Sequence, residues 1–274
     1  MTTKARISQF CSYIVLIFNV TAGALYFGAE NLTAIVQLLA GYNVTSRPLP
    51  VRIQLPFDAE QSPIYELLVI VLFLHSMTLV FPVNLLSGLV FSLVFHACGQ
   101  IDIICQELKN ISEKMSHYGS STYTTGMLIE RHNRVISFSK NIDKVFSFIA
   151  LMQILGNTLV ICFLGLVLMT SHTDIDIGLL KTMFAYMGIS LEVFVVCFVG
   201  EYLCIKSKSL GDAAYESLWY NMSPSHVKKL LLIIMRSQKQ LTITAGGITN
   251  LSLESFTSIM KASASYMSVL KAMY

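Results

Sequence analysis

The sequence predicts an all-α, polytopic membrane helix bundle with long cytoplasmic helix extensions and five spans. Three observations predict it. Hydrophobic residues fill 54% of the 274 positions and charged residues only 13%, against about 25% charged in an ordinary soluble domain. The apolar residues fall in long blocks rather than alternating, as in helices solvated by lipid. Lysine and arginine gather in alternate connecting segments, the asymmetry that fixes orientation in a bilayer.

The first block, Phe10 to Phe27, follows a basic start with Lys4 and Arg6. It shares that layout with a signal peptide, but at roughly 18 residues, with Asn19 inside, it reads better as a true span over 10–28. Residues 29–63 form an extracellular connection with Pro48, Pro50, Pro56 and Pro63 and the sequons at Asn31 and Asn43. Asn43, farther from the bilayer, is the better glycan site. The block Ile64–Ala97 is too long for one straight span, and Pro82 and Asn84 interrupt it. Two spans there would each fall short of the ~20 residues needed, so one long, kinked, tilted helix fits better.

Residues 98–144 mix six basic with five acidic side chains. They predict two amphipathic cytoplasmic helices parted by a turn at Gly119–Thr122. The third and fourth spans cover 145–169 and 179–205, and a second basic, amphipathic region runs over 206–246 to the helix-breaking pair Gly246-Gly247. The N-terminus and the two inner regions carry fourteen lysines and arginines, while the other connections carry only Arg47 and Arg52. The N-terminus is therefore expected in the cytoplasm and, with five spans, the C-terminus outside.

The last span, 248–273, is the most unusual. It is long enough to cross, yet it holds a run of serines with Lys261 and Lys271. Leu251, Ser255, Ser258, Ala262, Ser265 and Ala272 form a mostly small-residue stripe at helical spacing, and Ala262, Tyr266, Val269 and Met273 an overlapping apolar row. Such a helix needs protein or water beside it. It is either a polar helix packed inside its own bundle or a pore-lining helix that meets its copies around an aqueous axis.

Glu192 and Glu201 in the fourth span read as cation- or ligand-contacting carboxylates, or as groups hydrogen-bonded within the bundle. Lys261 either opposes an acid or snorkels. His75 and His96 are lone histidines on an apolar helix and read as packed or interfacial. Met183, Tyr186 and Met187 share a face; ordinary packing and a dry pocket for a small, mostly apolar molecule both remain open. The six cysteines show neither C-x-x-C nor metal-ligand spacing, and none falls in an outer segment, so no extracellular disulfide, metal or cofactor is expected. Nucleophile elbow, phosphate loop and nucleic-acid motifs are missing as well, so neither an enzyme nor a nucleic-acid binder is expected. The basic residues are left to topology and lipid headgroups.

Three stretches then resemble the insect odorant receptors: CFVGEYLCIKSKSLGDAAYESLWYN from Cys197 to Asn221, KKLLLIIMRSQKQLTITAGG from Lys228 to Gly247, and LSLESFTSIMKASASYMSVLKAMY from Leu251 to the end. The resemblance implies seven-helix subunits of odorant-gated, non-selective cation channels in the plasma membrane, assembled as heterotetramers with a co-receptor subunit. It matches the five spans here to the family's third to seventh helices, so the first two helices would be missing. It implies a pore lined by the last helix, with Val269 and Met273 at the constriction and Ser265-Tyr266 just before it. Ala272 stands where the co-receptor and gustatory relatives have glutamine, which favours a tuning receptor. The implied odorant pocket takes Tyr26, Leu72, Phe73, Met183 and Tyr186. The alternatives are a regulatory subunit without its own ligand, a gustatory-type receptor, or a G-protein-coupled receptor, the last opposed by the charge distribution.

Overall fold

The computed structural model describes residues 2–39, 64–111, 121–170 and 177–273. The described elements are helices α1 (Thr2–Leu39), α2 (Ile64–Lys109), α3 (Ser121–Thr170) and α4 (Ile177–Glu216), a 3-10 turn at Trp219–Asn221, α5 (Pro224–Ser237), strands β1 (Thr244–Ala245) and β2 (Thr249–Asn250), and α6 (Leu253–Met273). All-α is the fold class, with one small hairpin. At about 1.5 Å per residue the first four helices far outrun a ~30 Å hydrocarbon core, so each carries a long extension beyond its span.

Four helical stretches are long and apolar enough to cross a membrane: Lys4–Tyr26, Ile64–Lys109, Thr125–Thr170 and Ile177–Glu216. The fifth expected span, α6, has the length, at 21 residues, but not the apolarity.

Local chemistry explains where helices continue and stop. α1 runs on to Leu39, into the segment expected to be a connection, because Ala29–Leu39 holds neither glycine nor proline and so nothing that breaks a helix. α2 does continue through Pro82. Proline removes one backbone donor there, and the Asn84 amide donates to the Val80 carbonyl at 3.0 Å within the same turn. Past α5 the chain forms a hairpin in register Thr244↔Asn250 and Ala245↔Thr249. Gly246 and Gly247 make its turn with φ of 63° and 69°, a left-handed conformation that favours glycine. The glycine pair thus turns a hairpin, and the last helix begins at Leu253 rather than near residue 248.

The chain divides into two compact units. The first comprises Met1–Cys11, Gly88–Thr158 and Val193–Ala262. Its core is a set of buried rows at alternating three- and four-residue spacing, the seam of helices packed side by side. On α3 the row is Leu128, His132, Val135, Ser139, Ile142 and Phe146; on α4 it is Leu203, Ser207, Leu210 and Ala214; on α5 it is His226, Leu230, Ile233 and Ser237. α2 contributes Phe91, Val94, Cys98, Ile101 and Leu108. Two polar members of these rows have partners across the unit: the Thr125 hydroxyl and His226 Nδ1 lie 3.1 Å apart, and Ser207 Oγ accepts the Leu241 N–H at 3.0 Å. Ion pairs lie outside the rows, Arg131 with Glu107 at 2.7 Å and Lys109 with Glu216 at 2.6 Å.

Ser12–Ser87, Leu159–Glu192 and Ser263–Tyr274 make the second unit. Here most large apolar side chains stay exposed, among them Leu67, Ile70, Leu74, Leu79, Phe81, Leu159 and Phe163. Its helices are held by a few specific contacts. The Asn19 amide donates to Asn84 Oδ1 at 3.2 Å, a bond between helices of the kind favoured in lipid.

Candidate pore-lining helix and ligand site

α6 starts under several constraints. Ser252 Oγ accepts the Ser255 N–H at 3.1 Å, a serine N-cap. Glu201 Oε2 accepts the Leu253 N–H at 3.4 Å, putting a carboxylate at a helix N-terminus, where the dipole favours it. The bundle-structural reading of Glu201 therefore holds. Just ahead of the helix, Leu251 lies against Gly200: a Cβ added there would sit 2.6 Å from Leu251 Cβ. Only a residue with no side chain allows that approach.

Farther on, α6 buries Ser263 and Met267 alone, and Met267 packs against Gly165. The expected pore residues lie off that face. Tyr266 is 63%, Val269 57% and Met273 77% exposed, and Ser265 is exposed beside them. The small-residue stripe behaves likewise: Leu251 is buried and Ser255 half-buried, while Ser258, Ala262, Ser265 and Ala272 are open. Lys261 is exposed as well. A single protomer thus leaves uncovered the surface that the sequence marks as unfit for lipid.

The five expected pocket residues all fall in the second unit, but not on one face. Tyr26 is partly exposed, and Leu72, Phe73 and Tyr186 are half-buried. Met183 and Met187 are exposed, across α4 from its buried row of Lys181, Gly188 and Glu192. Glu192 itself is buried. The structure brings Tyr26 together with a residue that the sequence reading passed over: the Lys181 ammonium lies 5.6 Å from the Tyr26 ring centroid. Lys181 is the single lysine of the 179–205 block, which was the available signal; near the end of a span it reads as a snorkelling group, and only its burial shows otherwise. His75 is exposed, and His96 packs edge-on against Phe138 at 5.9 Å. Asn43, the expected glycan site, lies outside the described residues, and so do Gly119 and Ser120 of the expected turn at Gly119–Thr122, whereas Ser121 and Thr122 already open α3.

At the basic end of the first unit, Asp102 receives two lysines, Lys206 at 2.8 Å and Lys4 at 3.1 Å, and Lys4 also bonds the Tyr202 hydroxyl. Asp102 lies past the 64–97 span. Burial alone would raise its carboxyl, but the hydrogen bonds from Lys206 and Lys4 outweigh burial and hold it below the ordinary 3.8. Among the described residues no group of His, Cys, Asp and Glu could hold a metal ion, and all six cysteines are free thiols.

Long apolar helices with heptad-spaced extensions define a multi-pass membrane helix bundle. The chain belongs to the 7tm odorant receptor family, whose model matches residues 2–264. It is 27% identical to Odorant receptor 22c of Drosophila melanogaster over 81% of this chain and 57% of that one. Odorant receptor 10 of Aedes albopictus is 28% identical over 83% of this chain and 61% of its own. The chain thus spans about three fifths of the length of these relatives. Its fold matches the olfactory receptor OR5 from Machilis hrabei, solved with eugenol, at a TM-score of 0.76 and 16% identity, covering 100% of this chain and 68% of that one.

Proposed function

We propose that the chain is the tuning subunit of an odorant-gated, non-selective cation channel of the plasma membrane, assembled with the odorant co-receptor as a heterotetramer. Its N-terminus is cytoplasmic and its C-terminus extracellular, as the basic residues require. The observation that carries this reading is the open face of α6. Serines and small residues facing hydrocarbon would be costly, and a shared aqueous axis between subunits removes that cost.

A volatile odorant enters between the outer halves of the helices, against Tyr26, Leu72, Phe73, Met183 and Tyr186. It shifts the closed–open balance only by binding the open state more tightly. Val269 and Met273 then leave the axis and the constriction wets, with Ser265 and Tyr266 beside the path.

The test is current recorded from cells expressing this chain with the co-receptor, against the co-receptor alone. Odorant-evoked current should appear only with both. Val269→Ser should raise basal current or alter ion selectivity. Evoked currents no different from those of the co-receptor alone would overturn the reading, and an unchanged Val269→Ser channel would remove Val269 from the gate.

A further inference from the structure

A serine or threonine inside a membrane helix ordinarily returns its hydroxyl to a carbonyl of the preceding turn. On α6, Ser268 donates to the Ala264 carbonyl at 2.9 Å and Thr257 to that of Leu253 at 2.9 Å. Among the described residues, two buried side-chain polar atoms have no hydrogen-bond partner, and both are serine hydroxyls: Ser190 Oγ on α4 and Ser263 Oγ on α6. Ser263 is 0% exposed. Ser190 is half-buried as a residue, but its oxygen is covered. A covered hydroxyl with no partner is costly wherever water is excluded.

The two orphans share a register. In the first unit Glu201 meets Leu253, and the Phe194 and Phe256 rings lie 5.4 Å apart, so α4 and α6 run antiparallel. Between those contacts the Cys197 thiol lies against the backbone of Ser252 and Phe256. Seven residues make about two helical turns and return to the same face. Seven before Cys197 stands Ser190, and seven after Phe256 stands Ser263. Each serine therefore sits on the face its helix turns toward the other, at one level, and both belong to the second unit. One turn beyond Ser263, Met267 packs against Gly165 of α3, which fixes how α6 is turned.

We propose that Ser190 and Ser263 are a positioning pair for gating: apart in the conformation described here, they join in a hydrogen bond when α6 turns about its N-terminal end. That bond satisfies two unmet hydroxyls at once, so the pair biases α6 away from its present packing. Neither serine does this alone. With one replaced, the other has no partner in either conformation, and the whole bias is lost. The inference rests on reading α6 as the gating helix.

Two measurements need no current. In thermal unfolding of the purified full chain in detergent, Ser190→Ala and Ser263→Ala should each unfold about 2–4 °C above wild type. The double variant should lie near the sum, since no bond joins the hydroxyls in this conformation. In the Ser190→Cys/Ser263→Cys variant, copper phenanthroline should oxidise the two thiols to a disulfide, identified by the mass of the linked peptides. That requires the two Cα atoms to come within about 7 Å. Currents recorded with the co-receptor then read the coupling. Either single alanine variant and the double should move the half-activating odorant concentration in one direction and by one factor, about three- to tenfold. Side chains with a merely structural role would give additive shifts. An unfolding temperature at or below wild type for either single variant, no disulfide, or additive or opposed current shifts would each overturn the proposal. No evoked current from the wild type would sink the channel reading instead, and the unfolding and cross-link results would still decide whether the pair exists.

Discussion

The two ends of α2 obey different rules although they are one helix. Over Ile64–Ser87, in the second unit, Leu67, Ile70, Leu74, Leu79 and Leu85 are between 58% and 65% exposed. Over Gly88–Lys109, in the first unit, Phe91, Val94, Phe95, Ile101 and Leu108 are at most 2% exposed. The residue types hardly change; the partner does. An exposed leucine is at no disadvantage where lipid supplies the apolar contact, whereas beyond the bilayer each apolar side chain needs protein to cover it. One end is solvated by lipid, the other by its own bundle.

Matched truncations break that comparison if it is wrong. Leu108→Ala removes a fully buried side chain and should cost about 2–5 kcal/mol. Leu79→Ala, on the same helix, should cost under about 1 kcal/mol, since lipid refills the space. Thermal unfolding in lipid nanodiscs measures both; equal losses would mean that the two ends share one environment.

Next in size comes the hairpin. Asp143 Oδ1 accepts both the Thr244 N–H at 2.7 Å and the Thr244 hydroxyl at 2.8 Å. Asp143→Ala strands these donors and should cost about 1.5–3 kcal/mol, read by thermal unfolding and by faster hydrogen exchange at Thr244. Hydrogen exchange unchanged at that amide would separate the hairpin from α3.

The smallest effect belongs to Asp102. Its carboxyl is depressed in the folded chain, so its contribution is present above the unfolded value of 3.8 and lost as pH falls through the lower folded value. Asp102→Asn should cost about 1 kcal/mol or less at neutral pH, because the group is partly exposed and screened. The variant should also flatten the acid limb of the stability profile. An acid limb identical to wild type would mean the two lysines do not act through this carboxylate.

Much of this was legible in the sequence. The apolar blocks gave the four long helices, and the charged segments gave their extensions, because hydropathy and charge act locally and leave a pattern. Pro82 and Asn84 stand inside α2, which runs on through them as the single helix expected there, and the polarity of the terminal stretch marked α6. What stayed hidden depended on distant partners. Strands of two residues have no period to read, so the hairpin at Thr244–Asn250 looked like a simple break. Glu201 shows its role only when the start of α6 is folded against it. Lys181 likewise carries no local sign of burial; Tyr26, far away in sequence, supplies it. Met183 sits at helical spacing with Tyr186, yet spacing alone does not say which side of α4 turns inward.

The seating of Leu251 on Gly200 has a mechanical corollary. The chain just ahead of α6 is held there, by Glu201 at the helix start, and by the hairpin, where the Ser147 carbonyl takes the Gly246 N–H. With its N-terminal end moored at so many points, this last rod has no freedom to act as a piston. Any movement of the helix must swing or twist its far end about that fixed footing.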